Sequence, residues 1–109
     1  MLESKGCTAI VALIHDQTIY VANAGDSRCI LGINGKAVPL SVDHKPALLS
    51  EKQRILKAGS IITSEGRIDG NLNLSRAIGD MRYKRNPKLK SHEHPVIAHP
   101  EIRKASLLQ

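Results

Sequence analysis

Four residues in the first third of the chain bring reactive groups to one point: Gly25-Asp26-Ser27-Arg28. A carboxylate, a hydroxyl and a guanidinium directly follow the strand-forming run TIYVANA (residues 18–24), and the apolar pattern resumes at Cys29-Ile30-Leu31. Taken alone, the tetrapeptide is explained by a tight turn in which glycine takes positive φ and Asp or Ser caps the backbone. Other clusters have to be weighed beside it. His92-Glu93-His94 and His99 offer transition-metal ligands. Their spacing is loose, Pro95 and Pro100 stiffen the segment and no cysteine is near, so a solvated loop is a better reading than a zinc site. His44, within Asp43-His44-Lys45-Pro46, reads as a residue that holds its loop rather than a general acid. Arg76 and Asp80, within SRAIGD, read as an internal ion pair or hydrogen-bond network that fixes local geometry.

The elements that must position these groups follow from periodicity. Residues 8–14 (TAIVALI) and 18–24 are rich in β-branched residues and joined by a short polar link, which predicts a hairpin. Residues 28–33 form a third strand. Asn34-Gly35 is the strongest turn signal in the chain, because both residues accept positive φ. Residues 36–40 return as a fourth strand, with Pro39 marking an exposed edge. These four strands predict an antiparallel meander, and the near-continuous apolar character of the first two predicts that both faces are covered. Residues 48–58 (LLSEKQRILKA) predict a helix with Leu48, Ile55 and Ala58 on its apolar stripe and Glu51 and Arg54 on its polar side. Gly59 stands where a helix-terminating glycine belongs. Residues 60–63 predict a short strand and 67–74 an extended run. Ser75 could cap a short helix, and residues 96–102 predict a late strand broken by Pro100.

Composition bounds the function. At 109 residues the chain is at most one domain, able to bury roughly 65% of its unfolded surface. With no Trp or Phe, and only Tyr20 and Tyr83, the core must be aliphatic. The net charge of +6 invites a nucleic-acid reading. Five of the nine residues from Arg82 to Lys90 are basic, however, and only Tyr83 could stack on a base. Attraction of that kind is non-specific, so a solvated basic loop, or one that draws a phosphorylated or acidic partner, explains the charge without nucleic acid. Cys7 and Cys29 make no metal or redox pair. The start lacks a signal-peptide core, and the early apolar run of residues 9–14 is too short to span a bilayer. These features predict an intracellular protein, cytoplasmic or nuclear, with no membrane partner.

Read together, the motifs change the balance at Asp26. GCTAIVALI, IYVANAGDSRCIL, DHKP, EKQRILKAGSII, GRIDGNLNLSRAIGD and VIAHPEI occur in this order, and from Gly6 to Ile102 the chain resembles the metal-dependent PPM family, the type 2C Ser/Thr protein phosphatases. The resemblance implies an α+β fold, a portion of an α-β-β-α sandwich in which two antiparallel sheets pack face to face with helices outside. It implies phosphoserine and phosphothreonine hydrolysis in protein substrates by water activated at two Mg²⁺ or Mn²⁺ ions, and a monomer in the complete form. Hard cations favour oxygen ligands, and paired ions stabilise both attacking and leaving oxygens. By the same resemblance Asp26 is a metal ligand, holding a third, weaker ion. Thr8 lies beneath the same cleft in a supporting role, although the Ser that leads its family motif is absent. Residues 43–70 correspond to a flap linked to substrate preference.

The family's catalytic domain is longer, roughly 250 residues, and within ordinary domain sizes. The D-G-H-G-G and D-G-x-W-D motifs and the terminal D-N, which supply its other core carboxylates, do not occur in this sequence. Residues 1–109 are therefore expected to be a partial phosphatase domain that is inactive alone, without a catalytic residue of its own and with its substrate-binding residues not identified by the motifs. The alternative is an inactive short relative that binds phosphoproteins or another phosphatase. Removing the middle of a sandwich leaves strand edges unpaired and an apolar face open.

Overall fold

The computed structural model describes residues 4–108. Among these residues are seven short strands and one α-helix: β1 (Gly6–Cys7), β2 (Ala9–His15), β3 (Thr18–Ala24), β4 (Ile30–Ile33), β5 (Lys36–Pro39), α1 (Leu49–Lys57), β6 (Ile78–Gly79) and β7 (Glu101–Ser106). The β2–β3 hairpin forms as its sequence predicts. Its register pairs His15 with Thr18 and leaves Asp16 (φ 48°) and Gln17 (φ 60°) as the loop. Two successive positive φ values match the right-handed twist of the flanking strands. Asn34 (φ 51°) and Gly35 (φ 76°) do the same between β4 and β5.

The four strands do not form a meander. β3 takes β7, from the far end of the chain, as its second neighbour, giving a three-stranded antiparallel sheet in the order β2-β3-β7. β4 and β5 pair only with each other. The GDSR turn is the cause: Gly25, at φ 130°, directs the chain off the sheet before β4 begins. Leu40 then donates to the Cys29 carbonyl (2.9 Å), closing the hairpin at its base.

Register sorts the sheet into two faces. Ile10, Val21, Ile19 and Ala105 share one face, and there Ile19 and Val21 bury against Leu40 with Cys29 and Leu31 alongside. The opposite face presents Val11, Leu13, Tyr20 and Ile102, of which Val11, Leu13 and Ile102 are each 61% exposed. The expectation that both faces are covered therefore fails within this chain. A radius of gyration of 15.5 Å and extents of 46 × 27 × 24 Å describe an elongated molecule, against about 13 Å for a compact chain of this length. We predict that the purified chain binds hydrophobic dyes and sediments with a concentration-dependent mass. A dye-silent monomer with a sharp thermal transition would contradict this.

Helix α1 ends as its sequence predicts. Ser60 donates to the Ile55 carbonyl (3.2 Å), Gly59 donates to the Leu56 carbonyl (3.0 Å), and Gly59 sits at φ 93°. This paired arrangement satisfies carbonyls that would otherwise lack partners. Ile55 anchors a second core with Ile68, Ala77 and Val96. Around it several local expectations change. Ser75 begins no helix; it lies in a bend, and Arg76 after it bridges Ile97 in parallel. Ile62 makes only an isolated bridge to Ile68. Ile68 and Leu72 close a tight turn over Asp69 (φ 50°) and Gly70 (φ 78°). The last strand starts after Pro100 instead of containing it. No helix among the described residues is long and apolar enough to cross a membrane.

Candidate functional site

Asp26 projects from the turn that ends β3, and the loop that follows β5 grips that turn through three successive residues. Asp43 receives two hydrogen bonds from Arg28, at 2.7 and 3.1 Å. His44 holds the Gly25 peptide on both sides: its Nδ1 accepts from the Gly25 N–H (3.0 Å), and its own N–H donates to the Gly25 carbonyl (2.9 Å). Lys45 places its ammonium on Asp26 Oδ2 at 2.7 Å and on the Asn73 carbonyl at 3.2 Å. The two motifs thus form one interlocked unit.

The turn is closed from below as well. Thr8 Oγ1 and Ser27 Oγ lie 2.6 Å apart. A Cβ on Gly25 would collide with the Thr8 side chain and come within 3.0 Å of the Arg76 carbonyl. Only glycine fits there, because φ is positive and the space is already filled. Asn23 adds amide donors to the carbonyls of Gly25 (3.2 Å) and Val42 (3.0 Å), while its buried Oδ1 lacks a partner.

His44 is buried, and its Nε2 lies 3.2 Å from Glu101 Oε1 at the start of β7. Burial, aided by the Arg76 charge, pushes the imidazole below its usual range, against the opposing pull of Glu101 and Glu51. Burial would raise Glu101, but Arg103 and His44 hold it below the ordinary carboxylate value. At the surface, the hydrogen bonds from Arg28 hold Asp43 low.

Beneath this unit lies a charge cluster that sequence reasoning placed wrongly. Glu51 is fully buried, not on the solvent side of α1. Arg76 binds it through two bonds of 2.9 Å, Arg54 reaches it at 3.0 Å and Ser75 Oγ at 2.8 Å. Arg54 also donates to the carbonyls of His94, Ser75 and Pro95, and Arg76 to that of His99. Burial alone would raise Glu51, but Arg76, Arg54 and Ser75 bring it down to about 2. A signal was present in the sequence: at helical spacing Glu51 shares a face with Ile55, so a carboxylate stood in the apolar stripe.

Arg76 therefore pairs with Glu51 rather than with Asp80. Asp80 lies elsewhere, at φ 49°, packed where a side chain on Gly6 would overlap its carboxylate. Its charge also partly offsets the burial that lowers Lys84. Among the histidines of the late loop, His94 is buried between the carbonyls of Asn86 and Ser91, and the rings of His92 and His99 meet edge to face.

A hard divalent cation would find one suitable donor here, the Asp26 carboxylate. Among the described residues no three His, Cys, Asp or Glu side chains converge to hold an ion, so these residues form no complete metal site by themselves.

Comparison with known proteins places this arrangement. The protein phosphatase 2C family model matches residues 1–109. Probable protein phosphatase 2C 4 of Paramecium tetraurelia is 56% identical over 95% of this chain and 34% of its own length. Probable protein phosphatase 2C 21 of Arabidopsis thaliana is 57% identical over 91% of this chain and 28% of its own. A crystal structure of a phosphatase from a pathogenic strain of Toxoplasma gondii superposes with a TM-score of 0.75 at 44% identity, covering 80% of this chain and 27% of that one. The structure of a C. elegans sex determining protein superposes at 0.80 with 27% identity, over 95% and 24%. The chain spans about a third or less of the length of the curated relatives it matches. Its strands and helix are a portion of the phosphatase α+β sandwich, and its interlocked AGDSR and DHKP segments lie within the matched span. The chain belongs to the protein phosphatase 2C family.

Proposed function

We propose that this chain is the central part of a metal-dependent protein serine/threonine phosphatase, and that Asp26 is its contribution to the metal cluster. The observation that supports this is the immobilisation of Asp26: residues 43–45 each hold a different group of the turn that bears it. Metal dependence is general in this family, and Mg²⁺ or Mn²⁺ suits an oxygen donor such as Asp26. When bound, such an ion lowers the pKa of water and neutralises charge on the phosphoryl oxygens. This chain's part is to hold a carboxylate at the end of β3, where Lys45 pairs with it at 2.7 Å and where Asp26 would serve as an oxygen ligand to an ion. The remaining ligands, and the phosphate-contacting groups, are supplied by the rest of the domain. Substrates are phosphorylated proteins, the working form is an intracellular monomer, and nucleic acid plays no part.

Asp26→Asn, made in the complete domain, keeps the shape of the side chain and removes its charge. It should lower kcat/KM for a phosphothreonine peptide by about 10- to 100-fold, the range that groups around a metal site reach, while the melting temperature changes little. Full activity of this variant would remove Asp26 from the reaction. Mn²⁺-dependent hydrolysis by the purified 109-residue chain would contradict the dependence on missing ligands.

A further inference from the structure

We propose that His44 is a positioning residue for Asp26, acting through the Gly25 peptide with its proton held on Nε2 by Glu101. The inference rests on the reading of Asp26 given above and adds a tautomer, a direction of force and a partner to it.

The geometry is specific. Of the three gripping residues, Asp43 and Lys45 bind side chains at the surface, and only His44 is buried. On the turn it binds backbone: its ring Nδ1 takes the Gly25 N–H and its main-chain N–H takes the Gly25 carbonyl. The next residue is Asp26, so displacement of the Gly25 peptide moves the carboxylate directly. Nδ1 can accept from Gly25 only if it carries no proton. The proton must then lie on Nε2, where Glu101 Oε1 stands at 3.2 Å to receive it. Glu101 is fixed in turn by Arg103 at 3.0 Å on the same strand. Arg76 and Glu51 are the other charged groups that act on the ring, with opposite effects, and His44 in turn acts on Asp43. A ring bonded at both nitrogens has no hydrogen left for a leaving group, which excludes the general-acid role. Ligand atoms around a small divalent cation tolerate displacements of only about 0.5 Å, so a clamp on the preceding peptide is the kind of support this carboxylate needs.

The test uses the complete domain labelled with ¹⁵N. Long-range ¹H–¹⁵N spectra should show His44 protonated at Nε2, and the Gly25 amide should exchange slowly. His44→Leu removes both ring bonds, to the Gly25 N–H and to Glu101, at similar volume and leaves the main-chain bond to the Gly25 carbonyl in place. His44→Asn keeps an acceptor near the Nδ1 position and loses Glu101. We expect His44→Leu to speed Gly25 amide exchange, to weaken Mn²⁺ binding at the weakest site by about tenfold and to lower kcat with peptide KM within about twofold, magnitudes typical of groups that orient metal ligands. His44→Asn should recover most of the loss. A Nδ1-protonated ring, unchanged Mn²⁺ affinity in His44→Leu, or equal damage in the two variants would each overturn the proposal. If His44→Leu does not fold, the tautomer and His44→Asn still decide. Asp26→Asn separates the two claims: native Mn²⁺ binding in that variant removes the metal role of Asp26, whereas tautomer and Gly25 exchange report the clamp alone.

Discussion

Glu51→Gln should cost the complete domain about 3–5 kcal/mol, the usual consequence of removing one partner from a buried ion cluster. Shape is nearly conserved, so the loss is electrostatic. Arg54 and Arg76 remain in the interior, at 12% and 17% side-chain exposure, without the carboxylate that faced them both. The glutamine amide also turns a donor toward a guanidinium that can only donate. Because Arg54 and Arg76 also fasten the 94–99 segment through the carbonyls of His94, Pro95 and His99, the damage spreads to residues far along the chain. Acid provides an independent check. The folded value of about 2 lies below the ordinary glutamate value of 4.5, so the stabilisation is complete above about pH 4.5 and is lost as pH falls toward 2. That shift corresponds to about 3 kcal/mol by linkage. Denaturant midpoints measured from pH 7 down to 2.5 should fall steeply for the wild type and less steeply for Glu51→Gln. If the variant stays within about 0.5 kcal/mol of wild type, the span expected of a neutral surface change, the cluster is not the keystone described.

Gly25→Ala should be comparably severe, for a different reason. At φ 130° an L-residue is strained, by about 1–3 kcal/mol. The new methyl also strikes Thr8 and crowds the Arg76 carbonyl, adding about 1–3 kcal/mol of overpacking. The two costs can be separated, because Thr8→Ser removes the obstructing methyl and keeps the hydroxyl that meets Ser27. The double variant should recover only the share due to the Thr8 methyl, because the Thr8 Cβ at 2.6 Å and the Arg76 carbonyl at 3.0 Å still crowd the new side chain and the backbone strain remains. Recovery of all the lost stability would show that φ matters little. Recovery of none would show that Arg76 and the backbone carry the whole effect. Activity should fall further than stability, since the displaced peptide is the one that carries Asp26.

Local signals were legible and long-range ones were not. The β2–β3 hairpin, the Asn34-Gly35 turn and the glycine end of α1 could be read from neighbouring residues alone, because their hydrogen bonds span few positions. The Asp69-Gly70 turn carried an equally good signal that the extended reading of residues 67–74 overlooked. Glu51 was misplaced because the groups that make its burial tolerable, Ser75 and Arg76, lie 24 and 25 residues away. The meander failed for a similar reason: β4 follows β3 in sequence, but Gly25 turns it away and β7 takes the vacant edge. Residue types marked Asp26 as important through the company of its motif. The clamp by residues 43–45 could not be read, because nothing in DHKP names the peptide that its histidine holds.

The partnership of β3 with β7 also sets a schedule for the growing polypeptide. Once Ala24 has been made, β2 and β3 can pair at once, but the other edge of β3 waits until Glu101 and the residues after it emerge. That interval of 77 residues between Ala24 and Glu101 takes about 4–15 s at ordinary translation rates. Throughout it an apolar hairpin carries an open edge, the condition under which strands recruit the wrong neighbour. Ribosome-associated chaperones should therefore meet this segment early, and slowing synthesis between residues 24 and 101 should raise the fraction lost to aggregation.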